Sequence, residues 1–165
     1  DLYAQDYAHV YGLKTGVFRM SCIYGTRQFG VEDQGWVAWF TIATLLGKPL
    51  TIYGDGKQVR DVLYVTDLVD LYDRFLKSKL KHGVFTTGGG PKNTLSLLQL
   101  LDLLEKLTGK RSRISYSDWR PSDQKVFVAD ISSAKKALGW EPKVSPEEGV
   151  KKLAEFVQQN KKLFE

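Results

Sequence analysis

Apolar and polar positions follow two rhythms along this chain, and the switches between them outline its elements. Residues 1 to 11 place Leu2, Ala4, Tyr7, Ala8 and Tyr11 at near-helical spacing, with Gly12 as a C-terminal stop. The next run, TGVFRMSCIYG over residues 15 to 25, is short, apolar and rich in β-formers. It predicts a buried strand that ends in a turn at Gly25. Beyond a polar loop through Arg27, Gln28 and Asp33, the segment GWVAWFTIATLLG has helical length and closes on Gly47. PLTIY and VRDVLYV then read as two short strands, before Thr66 is expected to cap the helix DLVDLYDRFLKSK. The remainder reads as strand GVFTTGG, helix LSLLQLLDLLEKLTG, strands SRISYS and KVFVAD, helix SSAKKALGW and an amphipathic helix from Pro146 to Phe164. Strand and helix alternate throughout, which predicts an α/β fold. There is no internal repeat, low-complexity tract or Pro/Gly-rich linker, and 165 residues suffice for one ordinary core.

Composition narrows the function classes more than the fold. The net charge of +5 comes with lysine pairs at 135, 151 and 161 and no aromatic-interleaved basic stripe, the pattern of solvated helix faces and not of a nucleic-acid footprint. A single cysteine, Cys22, excludes an internal disulfide and fits a reducing compartment. No apolar run is long enough for a bilayer span, so no membrane partner is expected and the expected setting is cytoplasmic. His9 and His82 lie far apart and outside ligand spacing, so no metal site is expected. The opening DLYAQDYAHVYGL is already helical in pattern with no capping signal before it, which reads as a fragment of a longer protein.

Candidate chemistry concentrates in three stretches. In YGDGKQVRDVLYVTDL, residues 53 to 68, Gly54 and Gly56 permit positive φ and close approach of the backbone to a ligand. Arg60 follows with a planar fork suited to a pyrophosphate, although a plain hairpin turn with a solvated arginine has the same spacing. In FRMSCIYGTRQFG, residues 18 to 30, a strand runs out into a polar loop, and ligands of open α/β sheets bind beyond such carboxyl ends. Ser21, Cys22 and Tyr24 fall there, with Cys22 open to two readings, ligand contact or small buried filler. In DWRPSDQKVFVAD, residues 118 to 130, Arg120 precedes a proline and Asp123 is placed to orient its guanidinium. That is a loop salt bridge taken alone, and a second cation for a diphosphate if it converges with Arg60. Tyr53 and Lys57 satisfy Y-x-x-x-K, but the intervening GDG prevents the shared helical face that a tyrosine base and its lysine require.

Taken in order, FRMSCIYGTRQFG, LLGKPLTIYGDGKQVRDVLYVTDL, VFTTGGG with its following helix, and WRPSDQKVFVADISSAKKALGWEP resemble the C-terminal part of the extended short-chain dehydrogenases/reductases. These are NAD-dependent nucleotide-sugar epimerases and dehydratases. The resemblance implies the last strands of a Rossmann-like parallel sheet plus a small substrate-binding domain. Residues 1 to 25 would be the end of the catalytic helix and a following strand of a truncated NAD-binding domain. Residues 26 to 165 would be mainly substrate-binding, with a strand and helix returning to the cofactor domain. DQGWVAWF, KQVRDVLYV, NTLSLLQLL and SDQKVFVAD look most like the branch that inverts C2 of CDP-linked sugars, with a 4-epimerase, a 4,6-dehydratase or a non-catalytic nucleotide-binding module as alternatives.

Carried over residue by residue, the resemblance places Ser21 and Ile23 beside NAD. It places Cys22 where many relatives have a substrate-contacting asparagine, and Gln34 at the start of a helix near the substrate. A helix N-terminus is itself suited to an anion. Thr51 and Tyr53 would run along the nucleotide's base and ribose, and Arg60 and Arg120 would hold the substrate diphosphate. The glycine-rich fingerprint and the helical Tyr-x-x-x-Lys of the family have no counterpart among these residues, so no catalytic residue is expected here and the isolated chain is expected to be inactive. A homo-oligomer is expected for the intact protein. For the isolated piece, the strand TGVFRMSCI offers a bare apolar edge, which predicts self-association.

Overall fold

A computed structural model describes residues 1–165. The first helix, α1 (Leu2–Tyr11), stops where expected, with Gly12 at a left-handed φ of 66° and its N–H bonded to Ala8 O. The predicted single strand is instead two: β1 (Thr15–Met20) and β2 (Cys22–Tyr24). The break at Ser21 marks a change of partner. β1 runs parallel to β5 (His82–Thr87) in the register Thr15↔His82 to Met20↔Thr87. β2 runs parallel to β4 (Val59–Tyr64), with Cys22 opposite Val62 and Tyr24 opposite Tyr64. Ser21 is the pivot: its N–H bonds Thr87 O and its hydroxyl bonds Asp61 Oδ1 at 2.6 Å. Burial of the first segment is also less than expected, since Arg19 and Met20 are exposed and only Tyr24 and Gly25 are buried.

β4 is the hub of the molecule. Besides β2 it pairs antiparallel with β6 (Thr94–Ser96), a short strand that the sequence pattern does not announce, and parallel with β8 (Val126–Phe127). A separate parallel pair joins β3 (Leu50–Tyr53) to β7 (Ile114–Ser117). The α/β expectation with parallel strands therefore holds.

Helices cover these strands, and their sequences explain how deeply each is buried. α2 (Trp36–Leu46) is apolar on all sides, and eight of its eleven residues are buried. Its two threonines remain satisfied in that setting because Thr41 and Thr44 return their hydroxyls to the carbonyls of Val37 and Phe40, both at 2.7 Å. α4 (Leu97–Thr108) opens on a reciprocal capping box between Ser96 and Gln99. α6 (Pro146–Gln159) opens on Ser145, with proline at the first turn and Glu147 and Glu148 at the positive end of the dipole. The predicted C-terminal helix is shorter than its pattern, because Asn160 ends it and Lys161–Leu163 form a 3-10 turn. α2, α4 and α6 enclose a core that includes Leu45, Leu100, Leu104 and Leu153, all nearly or fully buried.

A second, smaller cluster forms around Leu63, Leu71 and Trp140, between β5, α3 (Val65–Lys77) and α5 (Ser132–Leu138). Thr66 does not cap α3: the helix begins at Val65, directly after β4, and Thr66 lies inside its first turn. The strand ladder holds as far as Tyr64 and leaves no loop in which a cap could form. The buried carboxylate of Asp67 instead reaches forward to accept the N–H groups of Lys143 and Val144, both at 2.9 Å. No helix is long and apolar enough to cross a membrane.

Candidate functional site

A cavity of about 630 Å³ opens where β1 ends and β2 begins, between the N-terminus of α2, the end of β3, the start of β4 and the loop 118 to 123. Local sequence explains its walls. β3 ends at Tyr53 and the chain reverses through Gly54 (φ 89°) and Gly56 (φ 75°), conformations that L side chains rarely adopt. Gly54 is required twice over, because a Cβ there would come within 2.6 Å of the Trp119 ring. Asp55 closes the turn by accepting the Lys57 N–H at 2.9 Å, and Gln58 donates its amide to Tyr53 O at 2.8 Å. The chain leaves this turn as β4, which carries Arg60 into the cavity wall. Tyr53 and Lys57 thus flank a turn and share no helical face.

The eight residues proposed to face a ligand, Ser21, Cys22, Ile23, Gln34, Thr51, Tyr53, Arg60 and Arg120, line this one cavity, whereas Tyr24, which the sequence also put at this strand end, is buried away from it with its hydroxyl donating to Pro146 O. The eight come from five separate segments of chain. The hydroxyl of Ser21 is already bonded to Asp61, which also accepts Gly90 N–H at 3.0 Å, so Ser21 is fixed in place. That packing is close: a Cβ at Gly88 would meet Asp61 Oδ2 at 2.1 Å. Cys22 Sγ accepts from the Trp36 indole at 3.4 Å, and burial raises the thiol pKa above its ordinary value. The thiol is accordingly a neutral, half-buried surface with little thiolate character. Gln34 precedes α2 and bonds reciprocally with Val31; the helix itself starts at Trp36, after Gly35 in a left-handed conformation.

The arginines converge, but not with the partners expected. Asp123 does not orient Arg120; it binds Arg60 Nη2 at 2.7 Å, while Arg60 Nη1 donates to Val59 O at 2.9 Å. Arg120 instead meets Asp33 at 3.0 Å, and its guanidinium carbon lies 4.1 Å from the centroid of the Tyr53 ring. The swap follows from topology: β8 is paired to β4, so the chain just before it delivers Asp123 to Arg60, while Arg120 projects toward Tyr53 and the 31 to 34 turn. Tyr53 completes the contact by donating its hydroxyl to Glu32 at 3.0 Å.

Several wall residues escaped the sequence reading. Glu32 and Asp33 sit in a loop whose polarity looked generic, and only the fold brings them to Tyr53 and Arg120. Gln28 and Gln58, both in the cavity wall, each keep a buried amide oxygen without a protein partner. Trp36 and Trp39, partly buried against the core, form an apolar side to the cavity. Two cations and three carboxylates line the space, and no lysine does.

Comparison with known proteins gives this geometry its context. A family model described as GDP-mannose 4,6 dehydratase matches residues 1–153. The CDP-paratose 2-epimerase of Salmonella typhi is 47% identical over 163 residues, covering 94% of this chain and 48% of that protein. The crystal structure of UDP-glucose 4-epimerase from Thermotoga maritima with UDP-glucose superposes with a TM-score of 0.85 at 38% identity, covering 96% of this chain and 50% of the other. UDP-glucuronic acid 4-epimerase from Bacillus cereus, in complex with UDP-glucuronic acid and NAD, superposes with a TM-score of 0.81 at 30% identity, covering 94% of this chain and 49% of the other. The chain spans about half the length of the relatives it matches.

Proposed function

The chain belongs to the GDP-mannose 4,6-dehydratase family of extended short-chain dehydrogenases/reductases, and on that premise we propose that it is the substrate-binding, C-terminal portion of an NAD-dependent nucleotide-sugar epimerase. The substrate is a CDP-linked sugar inverted at C2, the reaction of a CDP-paratose 2-epimerase, through a keto-sugar intermediate. The observation that carries this reading is the convergence of Arg60 and Arg120 on one cavity, beside a strand end that a nucleotide can lie along. Two guanidiniums offer ten N–H donors in planar forks, a match for the oxygens of a diphosphate. Thr51 and Tyr53 on β3 form the flank for base and ribose, and Cys22 with Trp36 forms a neutral surface for the sugar.

This chain's part in the chemistry is to bind and orient. When bound, NAD supplies hydride acceptance and return at the inverted carbon. The residues here that fit against it are few: Ser21 is locked by Asp61, and Ile23 on β2 offers an apolar contact at the same strand end. Neither a G-x-G-x-x-G fingerprint nor a helical Tyr-x-x-x-Lys occurs in residues 1–165, so the proton transfer and most of the cofactor contacts belong to other residues of the intact protein. Residues 1–25 belong to the cofactor domain in this reading and the remainder mainly to the substrate domain. A cytoplasmic homo-oligomer is the assembly proposed for the whole.

A UDP-sugar 4-epimerase or a 4,6-dehydratase is the second reading, and a non-catalytic nucleotide-binding module is the third. The identity to CDP-paratose 2-epimerase, 47% against 36% for a UDP-glucuronate 4-epimerase, favours the first. Incubating the full-length protein with NAD and CDP-paratose, and following C2 inversion by NMR, tests the reading. Turnover of CDP-paratose with none of UDP-glucose or UDP-glucuronate is expected. Arg60→Ala should weaken CDP binding about tenfold or more in calorimetry, the loss of a charge-assisted contact. Inversion of a UDP-sugar alone would replace the first reading by the second, and nucleotide binding without any turnover would favour the third.

A further inference from the structure

The two cavity arginines are held by carboxylates in contrasting ways. The Arg60–Asp123 pair is sheltered, its side chains 16% and 25% exposed, whereas in the Arg120–Asp33 pair they are 38% and 87% exposed. Asp33 stands on a tight turn closed by two backbone hydrogen bonds between Val31 and Gln34. The same turn holds the Tyr53 hydroxyl through Glu32, and Arg120 lies over the Tyr53 ring. One acidic turn thereby reaches both the end of β3 and the loop 118 to 123, across the wall of the cavity.

The contrast has a consequence for any anionic ligand. A guanidinium carries five N–H donors. Arg60 commits one nitrogen to Asp123 and another to its neighbour's carbonyl, so donors remain for a ligand while Asp123 stays in place. Breaking that part-buried pair would leave a partly desolvated carboxylate without its cation, which costs more than releasing an exposed one. Asp33 is almost fully hydrated and loses little on release; ion pairs of this exposure are weak. A phosphate offers Arg120 a bidentate, charge-assisted alternative.

We propose that Asp33 is an internal competitor for Arg120, occupying the guanidinium until a ligand phosphate displaces it, while Asp123 stays bound and positions Arg60 on the same ligand. The inference rests on the nucleotide-sugar reading of the cavity. It assigns two carboxylates of like charge, facing one site, opposite effects on binding.

Calorimetric titration of the full-length protein with CDP at low salt tests this directly. Asp33→Asn should tighten CDP binding about two- to fivefold, the worth of an exposed ion pair. Asp123→Asn should weaken it by at least as much. Asp33→Glu, which keeps the competing charge, should bind as wild type does. A general charge effect would move both asparagine variants in the same direction, so equal tightening overturns the proposal. Unchanged or weaker binding by Asp33→Asn also overturns it, even if Asp123→Asn proves too unstable to titrate. If wild type binds CDP and Asp33→Asn fails to tighten it, only the competitor role falls. If wild type binds neither CDP nor UDP, the nucleotide-sugar reading falls and the competitor role with it.

Discussion

Helices α1 and α2 are of similar length and both carry many apolar residues, yet the molecule treats them differently. Of α2's WVAWFTIATLL eight residues are buried, whereas in α1's LYAQDYAHVY only Ala8 is, and Leu2, Tyr3, Val10 and Tyr11 stand mostly in solvent. α2 is enclosed by α4 and α6, while α1 lies against the β1–β5 pair and nothing covers its outer face. The comparison teaches that apolar content states a demand for burial, and neighbours decide whether it is met. β1 shares the condition, since β5 is its only strand partner.

The contrast can be tested by substitution. Leu100→Ala, in the fully buried core beneath α2, should lose about 2–5 kcal/mol in urea unfolding through lost transfer energy and the cavity left behind. Asp67→Ala tests the second cluster: it removes the buried carboxylate that accepts two part-buried backbone N–H groups and should cost about 1–3 kcal/mol by the same measurement. Tyr3→Ser and Tyr11→Ser together should change stability by no more than about 0.5 kcal/mol, because both rings are exposed. The same pair should reduce self-association of residues 1–165 in light scattering, as expected of a bare apolar corner. A loss comparable to that of Leu100→Ala would mean that the α1 face is covered in solution, and the comparison would break.

Much of the molecule was legible in the primary structure wherever local chemistry decides. Gly12, Gly47 and Gly109 stop helices in a left-handed conformation that glycine adopts without strain. The turn at Gly54 and Gly56 was readable for the same reason. The eight proposed ligand positions rest on motif resemblance, and the fold brings them to one cavity. Thr66 misled because its capping potential was judged without the strand that runs straight into α3. The residues 15 to 25 misled because a continuous apolar run carries no mark of where a strand changes partner.

By itself, then, the sequence determined the alternation of strand and helix, the sharp turns and the family, because these rest on periodicity, on φ restrictions and on motifs read in order. Only the tertiary structure decided the electrostatics of the cavity. Asp123 sits three residues from Arg120 in sequence and yet pairs with Arg60, sixty-three residues away, because β8 docks on β4; Arg120 turns to Asp33 on a distant turn. Charge pairing depends on distances of a few ångströms in space, and those are set by which strands and loops the fold lays side by side.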